Sequence, residues 1–213
     1  MGDCLRRGGC YYSRMSGTAR GFVHGYVLAG GLSSRMGRDK AMLELDGATI
    51  LSRTYQLLAR VCGAATVVGP RERYASLGIP LIEDTWQGCG PLAGIEAALA
   101  DCRAREGIKW ALVVACDMPL LEDEAFAMLL AEAERAGEAQ VVLPVSGNGR
   151  AEPLCALYHP LGLDVVRKQL ETGHFKLLDA IALLPAREVV LDRPHHFVNV
   201  NRPEDWEALH VRG

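Results

Sequence analysis

Residues Tyr26 to Lys40 read YVLAGGLSSRMGRDK, and how this stretch turns decides the fold. Four apolar residues, Tyr26 to Ala29, run into Gly30 and Gly31. Ser33, Ser34, Arg35, a third glycine at Gly37, and Lys40 follow. An apolar run this short, closed by glycines, reads as a buried strand delivering a loop. Glycine lets backbone approach a ligand with no Cβ in the way. Successive loop N–H groups form a concave anion site, and Arg35 and Lys40 add fixed positive charge beside it. An ordinary glycine turn with two solvated cations would share the glycines. The full combination is more specific, and it sits at a strand end early in the domain, where an open α/β sheet places its ligand. Two familiar phosphate loops are excluded: Gly-Lys-Ser/Thr is missing, and so is Gly-x-Gly-x-x-Gly.

Outward from this loop, the chain alternates strand and helix. Phe22 to Ala29 is the first strand. Ala41 to Leu45 leads into an Asp46-Gly47 turn, and Ile50, Leu51, Thr54, Leu57, Leu58 and Val61 recur at helical spacing. Ala64 to Val68 is a second strand. A short helix over Arg71 to Leu77 precedes a third strand, Pro80 to Ile82, which ends at Glu83-Asp84. Pro91 to Ala100 is a helix with proline in its first turn. Trp110 to Ala115 is a wholly apolar strand, and Glu122 to Ala136 is a helix whose acidic first turn suits the dipole. Gln140 to Pro144 and Ala151 to Tyr158 read as further strands. Strands apolar on both faces, alternating with helices, predict a mostly parallel sheet covered on both sides. The region from Arg150 onward is less regular and is expected to add edge elements and a rim. Residues 1–20 read as a disordered tail, with Met15 a second candidate start, and residues 21–213 as one domain.

Composition narrows the class. Of 213 residues, 49% are apolar and 23% charged, ordinary for a soluble globular chain. A net charge of -3 argues against a nucleic-acid binder, so phosphate binding has to come from a focused site. No apolar stretch approaches the ~18 residues of a membrane span, and the first twenty residues lack the apolar centre of a secretory signal. Seven cysteines with no Cys-x-x-Cys read mostly as buried thiols of a reducing cytosol. Cys89, in a glycine loop, is the more exposed candidate. The six histidines show no ligand spacing and read as structural or solvated.

Two carboxylates lie just past apolar runs: Asp84 after Pro80-Leu81-Ile82, and Asp117 after Trp110 to Cys116. At the carboxyl ends of parallel strands such groups face the ligand crevice. There an aspartate either ligates Mg²⁺, a hard cation that bridges substrate phosphates, or caps the following turn. Gly88-Cys89-Gly90-Pro91 opens a helix whose free N–H groups offer an anion site, or is a plain turn. Asn199 and Asn201 alternate along a short strand, Phe197 to Asn201, and share a face. They either contact a ligand or stitch the strand to its helix. Arg150 and Glu152-Pro153 are candidates for the same rim.

Leu28-Ala29-Gly30-Gly31, Arg35-Met36-Gly37 and Asp39-Lys40 together resemble the L-A-G-G-x-x-x-R-M-G-x-D-K opening of MobA-like molybdenum cofactor guanylyltransferases. The resemblance extends from Gly25 to about Leu209 through Ile82-Glu83-Asp84, Gly88 to Ile95, Cys116-Asp117-Met118-Pro119, Glu152 to Tyr158 and Val198 to Asp205. It implies a three-layer, Rossmann-like α/β nucleotidyltransferase fold. It also implies transfer of GMP from GTP to molybdopterin, or its molybdenum-bound form, with release of pyrophosphate. On that resemblance Lys40 and Arg35 stabilise the leaving pyrophosphate, and Leu28, Ala29, Gly30 and Gly31 hold base and phosphates. Asp84 touches the nucleotide, and Asp117 holds Mg²⁺. Gly90, Asn199 and Asn201 are expected at the acceptor. The implied partners are the two substrates and, transiently, proteins that deliver molybdopterin or mature molybdoenzymes, with no nucleic acid or membrane. One departure stands out. Family members often carry Asn at the end of the second strand, where this chain reads Val67-Val68-Gly69-Pro70. Base recognition is then expected from backbone groups and Asp84. The readings that compete are a cytidylyltransferase for the same pterin, where L-A-A-G is the commoner opening, a sugar-1-phosphate nucleotidyltransferase of the same fold, a nucleotide-binding module without catalysis, and an α/β protein that binds no nucleotide.

Overall fold

The computed structural model describes residues 21–30, 39–45 and 47–191. Strand β1 (Val23–Leu28) is flanked by β4 (Ala65–Val68) and β6 (Trp110–Ala115), and β5 (Leu81–Ile82) lies beyond β4. On the other side of β6 come β8 (Cys155–Tyr158), β7 (Val141–Ser146) and β9 (Ala186–Leu191), completing a seven-stranded sheet ordered β5-β4-β1-β6-β8-β7-β9. All pairings are parallel except those of β8, which runs against both β6 and β7. A separate hairpin pairs β2 (Glu44–Leu45) with β3 (Ala48–Thr49).

The three layers follow from side-chain alternation along the central strands. Val23 and Val27 of β1, with Leu112 and Val114 of β6, face one core. It is closed by α1 (Ile50–Cys62) and α4 (Asp123–Glu134) through Leu51, Leu58, Phe126 and Leu129. Tyr26, Ala111 and Val113 face the opposite core under α3 (Pro91–Ala104), α5 (Leu163–Glu171) and α6 (Leu177–Ile181). Thr49 caps α1 by accepting from the Ser52 N–H at 3.1 Å, and Gly63 ends it in the left-handed region, as helix boundaries prefer. Among the described residues no helix is long and apolar enough to cross a membrane. The five described cysteines are free thiols.

Strands β1, β4, β5 and β6 and helices α1, α3 and α4 lie where the periodicity puts them, within a few residues. Three expectations need correction. Helix α2 is only Arg71–Tyr74, and it tightens into a 3-10 turn over Ala75–Leu77 that Gly78 ends at φ 64°. The strand expected over 151–158 begins only at Cys155: the Cys155 N–H is spent on the Glu152 carbonyl, closing a turn, and Pro153 has no N–H to give a ladder. The chain after Arg150 is also regular. It supplies the antiparallel strand inside the sheet, two helices and the β9 edge. The hairpin β2–β3 was not anticipated, because two-residue strands carry too short a pattern to register. The expected tail, Gly31, Arg35, Asp46, and the strand bearing Asn199 and Asn201 lie outside the described residues.

Candidate functional site

The chain leaves β1, moves out through β4 to β5, then returns to β6 on β1's other side. That reversal makes the carboxyl ends of β1 and β6 a topological switch point, the place where open α/β sheets bind ligands. Four sequence candidates converge there. Leu28 ends β1, its carbonyl accepting from the Cys116 N–H at 3.1 Å, while the Ala29 N–H donates to the Val68 carbonyl at 2.8 Å. Gly30 therefore emerges between two strand ends. Asp117 follows β6 by two residues, and the buried Met118 beside it anchors its turn in the core.

Asp117 is the atom-level centre of the site. Its Oδ1 is buried and has no hydrogen-bond partner among the described residues. Burial raises its pKa above the ordinary carboxylate range, while the nearby Lys40 ammonium and the residue's own N–H pull it back. A buried anionic oxygen left without a donor costs free energy. It suits a hard divalent cation that takes carboxylate and phosphate oxygens, so the donor chemistry at Asp117 fits Mg²⁺. Among the described residues no group of three or more His, Cys, Asp or Glu gathers to hold a metal. Asp117 is the residue that would hold an ion here, and Mg²⁺ commonly takes substrate phosphates and water besides protein carboxylates.

Lys40 reaches this centre on a built turn. It opens a 3-10 turn, Lys40–Met42, capped by Asp39, whose Oδ1 accepts from the Ala41 N–H at 3.1 Å. Asp39 Oδ2 accepts from the Tyr74 hydroxyl at 2.9 Å, and the Arg73 guanidinium stands 3.9 Å away. Burial pushes the Cys116 thiol up to about 12; the Asp117 and Asp39 carboxylates add to that rise and the Lys40 ammonium opposes it. A thiol held that high is no nucleophile at neutral pH.

Asp84 sits apart, two residues beyond β5. Burial raises its pKa; the Trp86 backbone N–H steadies the charged form, and the Glu83 and Glu96 carboxylates push against it. Three strand spacings separate β5 from β6, about 14 Å at ~4.8 Å each. Asp84 and Asp117 therefore leave the sheet's carboxyl edge from well-separated strands.

Past Asp84, Gly88 and Gly90 adopt φ 76° and 69°. With ψ at -158°, Gly90 occupies a region essentially closed to other residues. That backbone turns the chain into α3 with no side-chain cap and Pro91 in its first turn, leaving the helix's amino end facing the carboxyl edge of the sheet. Glu152, on the β7–β8 connection at the same edge, is buried and paired with Arg150 at 3.2 Å; burial raises its pKa, and the Arg150 guanidinium pulls against that rise.

Two residues at the site carry no obvious sequence signal. Gly69 follows β4, and a Cβ there would lie 1.8 Å from the Ala29 carbonyl oxygen and 3.0 Å from the Tyr74 ring. The place where the sequence lacks the expected Asn thus admits no side chain in this structure. Tyr74 itself is fully buried. Its one available clue was position, in the first turn after Gly69-Pro70.

A family model for the MobA-like NTP transferase domain matches residues 25–185. A probable molybdenum cofactor guanylyltransferase from Halalkalibacterium halodurans is 33% identical over 191 residues, covering 85% of this chain and 94% of its own. Another from Opitutus terrae is 38% identical over 190 residues, covering 85% and 91%. Among solved structures, the molybdopterin-guanine dinucleotide biosynthesis protein A of Archaeoglobus fulgidus superposes with a TM-score of 0.75. It is 24% identical and covers 89% of this chain and 100% of its own. At that identity the superposition speaks to the fold alone.

Proposed function

The chain belongs to the MobA-like NTP transferase family, and on that premise we propose that it transfers GMP from GTP to molybdopterin, forming a guanine dinucleotide and releasing pyrophosphate. The observation that carries nucleotidyl transfer is the orphaned Asp117 Oδ1 beside Lys40 at the sheet's switch point. The guanine and the pterin are supported by the names of the relatives, several of which are molybdenum cofactor guanylyltransferases.

In this reading GTP lies across the carboxyl edge, its base toward Asp84 and β4 and its phosphates toward Lys40 and Asp117. The acceptor's terminal phosphate oxygen attacks the α-phosphorus in line. A bond forms between that oxygen and phosphorus, and the bond from the α-phosphorus to the bridging oxygen of the β-phosphate breaks. No covalent enzyme intermediate is required, since positioning and charge neutralisation suffice. Lys40 meets the charge that develops on the departing pyrophosphate, and Arg35 shares that role on the strength of the family motif. Backbone groups of Leu28, Ala29, Gly30 and Gly31 hold base and phosphates; with no side chain at Gly69, the base is read by main chain and Asp84. Asp117 is the residue that would hold Mg²⁺, and the ion would supply neutralisation of phosphate charge when bound. We assign Gly90, Asn199 and Asn201 to the acceptor on the strength of the family motif. A phosphate nucleophile is already ionised near neutral pH, so no general base is assigned. We place the reaction in the cytosol, where the described thiols stay reduced. Contacts with proteins that deliver molybdopterin or receive the product would be transient.

The test is thermal stability with GTP, CTP, ATP or UTP, with and without Mg²⁺. A ligand at ~100 times its Kd stabilises by about 2.7 kcal/mol. A shift with GTP, enlarged by Mg²⁺, is expected. A shift with CTP alone would reassign the base, and no shift with any nucleotide would overturn the enzymatic reading.

A further inference from the structure

We propose that Tyr74 is the positioning residue for Lys40: its hydroxyl fixes Asp39, and Asp39 caps the turn that carries Lys40 to the crevice. The inference rests on the role given to Lys40 above.

Lys40 belongs to a three-residue 3-10 turn. So short a turn has poor intrinsic hydrogen-bond geometry and needs outside support. Its support is Asp39, and that carboxylate is fully committed. Oδ1 holds the Ala41 N–H at 3.1 Å, and Oδ2 holds the Tyr74 hydroxyl at 2.9 Å with Arg73 near by. Tyr74 is 1% exposed, so its hydroxyl has no water to turn to, and a hydrogen bond from a buried phenol to a carboxylate is of the stronger, charge-assisted kind. The Tyr74 ring also abuts Gly69, where an added Cβ would meet Cε2 at 3.0 Å. One side chain therefore touches the end of β4, where the base is read in the proposed reaction, and the cap of the turn that presents the cation to the phosphates. The Tyr74 hydroxyl thus ties Asp39 to α2, which follows β4 directly.

Tyr74→Phe removes the hydroxyl and keeps the ring, so the packing against Gly69 survives. The probe is inorganic pyrophosphate with Mg²⁺, followed by calorimetry in four proteins: wild type, Y74F, K40A and the double variant. Y74F is expected to weaken pyrophosphate binding about tenfold and to lower kcat for pyrophosphate release from GTP, with KM for GTP little changed. In the K40A background the same substitution is expected to cost nothing further, because Tyr74 acts only through Lys40. Wild-type affinity in Y74F, or an equal loss in both backgrounds, would overturn the inference while leaving the proposed reaction intact. A wild-type protein that binds neither pyrophosphate nor GTP would overturn the reaction and the inference together.

Discussion

Replacing Gly69 by alanine puts a methyl carbon 1.8 Å from the Ala29 carbonyl oxygen, where Cβ atoms essentially never come closer than 3.0 Å to a neighbour. The obstacle is backbone, so no side-chain rotation relieves it. Either β1 or β4 must shift by more than about 1 Å at its carboxyl end. Overpacking alone costs about 1–3 kcal/mol. Two hydrogen bonds bracket the contact, from Ala29 to Val68 at 2.8 Å and from Gly69 to Ile82 at 3.0 Å, and each is worth about 1 kcal/mol if lost. The sum is about 3–5 kcal/mol, or a fall in Tm of about 6–20 °C for a chain of this size. Function should suffer further, because a 1 Å misplacement of reacting groups can cost about 100-fold in rate. Differential scanning calorimetry and steady-state pyrophosphate release measure the two effects. Gly69→Asn should be worse than Gly69→Ala in both and should not sharpen base choice. An alanine variant with unchanged Tm and unchanged kcat/KM would refute the close approach of the two strand ends.

Other perturbations follow from the same contacts. Asp117 has a raised pKa in the fold, so its stability contribution is complete below the unfolded carboxylate value and is lost as pH rises through the folded one. Asp117→Asn should therefore raise the Tm of the metal-free protein at neutral pH, with the gain vanishing in acid, while abolishing turnover; a variant that keeps full activity would remove the metal assignment. His24 behaves in the opposite sense. Burial above all, with Arg105 adding to it, lowers its pKa to about 4, and its Nε2 pairs with Thr66 at 2.9 Å. The unfolded state takes the proton first, so stability should decline from about pH 6.5 down to about 4, and His24→Gln should flatten that part of a pH–Tm curve. The Arg167–Glu96 pair, at 2.7 Å, joins α5 to α3 with Glu96 buried. Arg167→Met should cost about 2 kcal/mol, below the figure for a fully buried pair because Arg167 is half exposed. Adding Glu96→Gln should recover most of that loss in urea denaturation, and a double variant no better than the single would mean the pair itself carries the stability.

The central half of the fold was legible because its strands are apolar on both faces and its helices carry long periodic stripes. Leu51, Leu58, Leu112 and Val114 had to be buried whatever the tertiary details. The antiparallel β8 was not legible as an inner strand. Four apolar residues say that a segment is buried, and nothing local says which neighbours it joins. The site divides in the same way. Gly30 and Asp117 stood out because a glycine and a carboxylate follow strand ends, and Lys40 because it closes the glycine-rich stretch that leaves β1. The need for Gly69 comes from the approach of a second strand's carbonyl, and the place of Tyr74 comes from a carboxylate 35 residues earlier in the chain. Neither relation has a sequence period. The Asn that the family pattern led one to expect after the second strand is replaced by a backbone contact, which only the folded geometry reveals.

The most direct measurement incubates the purified protein with molybdopterin, Mg²⁺ and each of the four nucleoside triphosphates in turn, following pyrophosphate release and the dinucleotide formed. Pyrophosphate and a guanine dinucleotide with GTP, and neither with the other three, is the expected result. A cytosine dinucleotide from CTP, or no product from any triphosphate, would contradict guanylyl transfer.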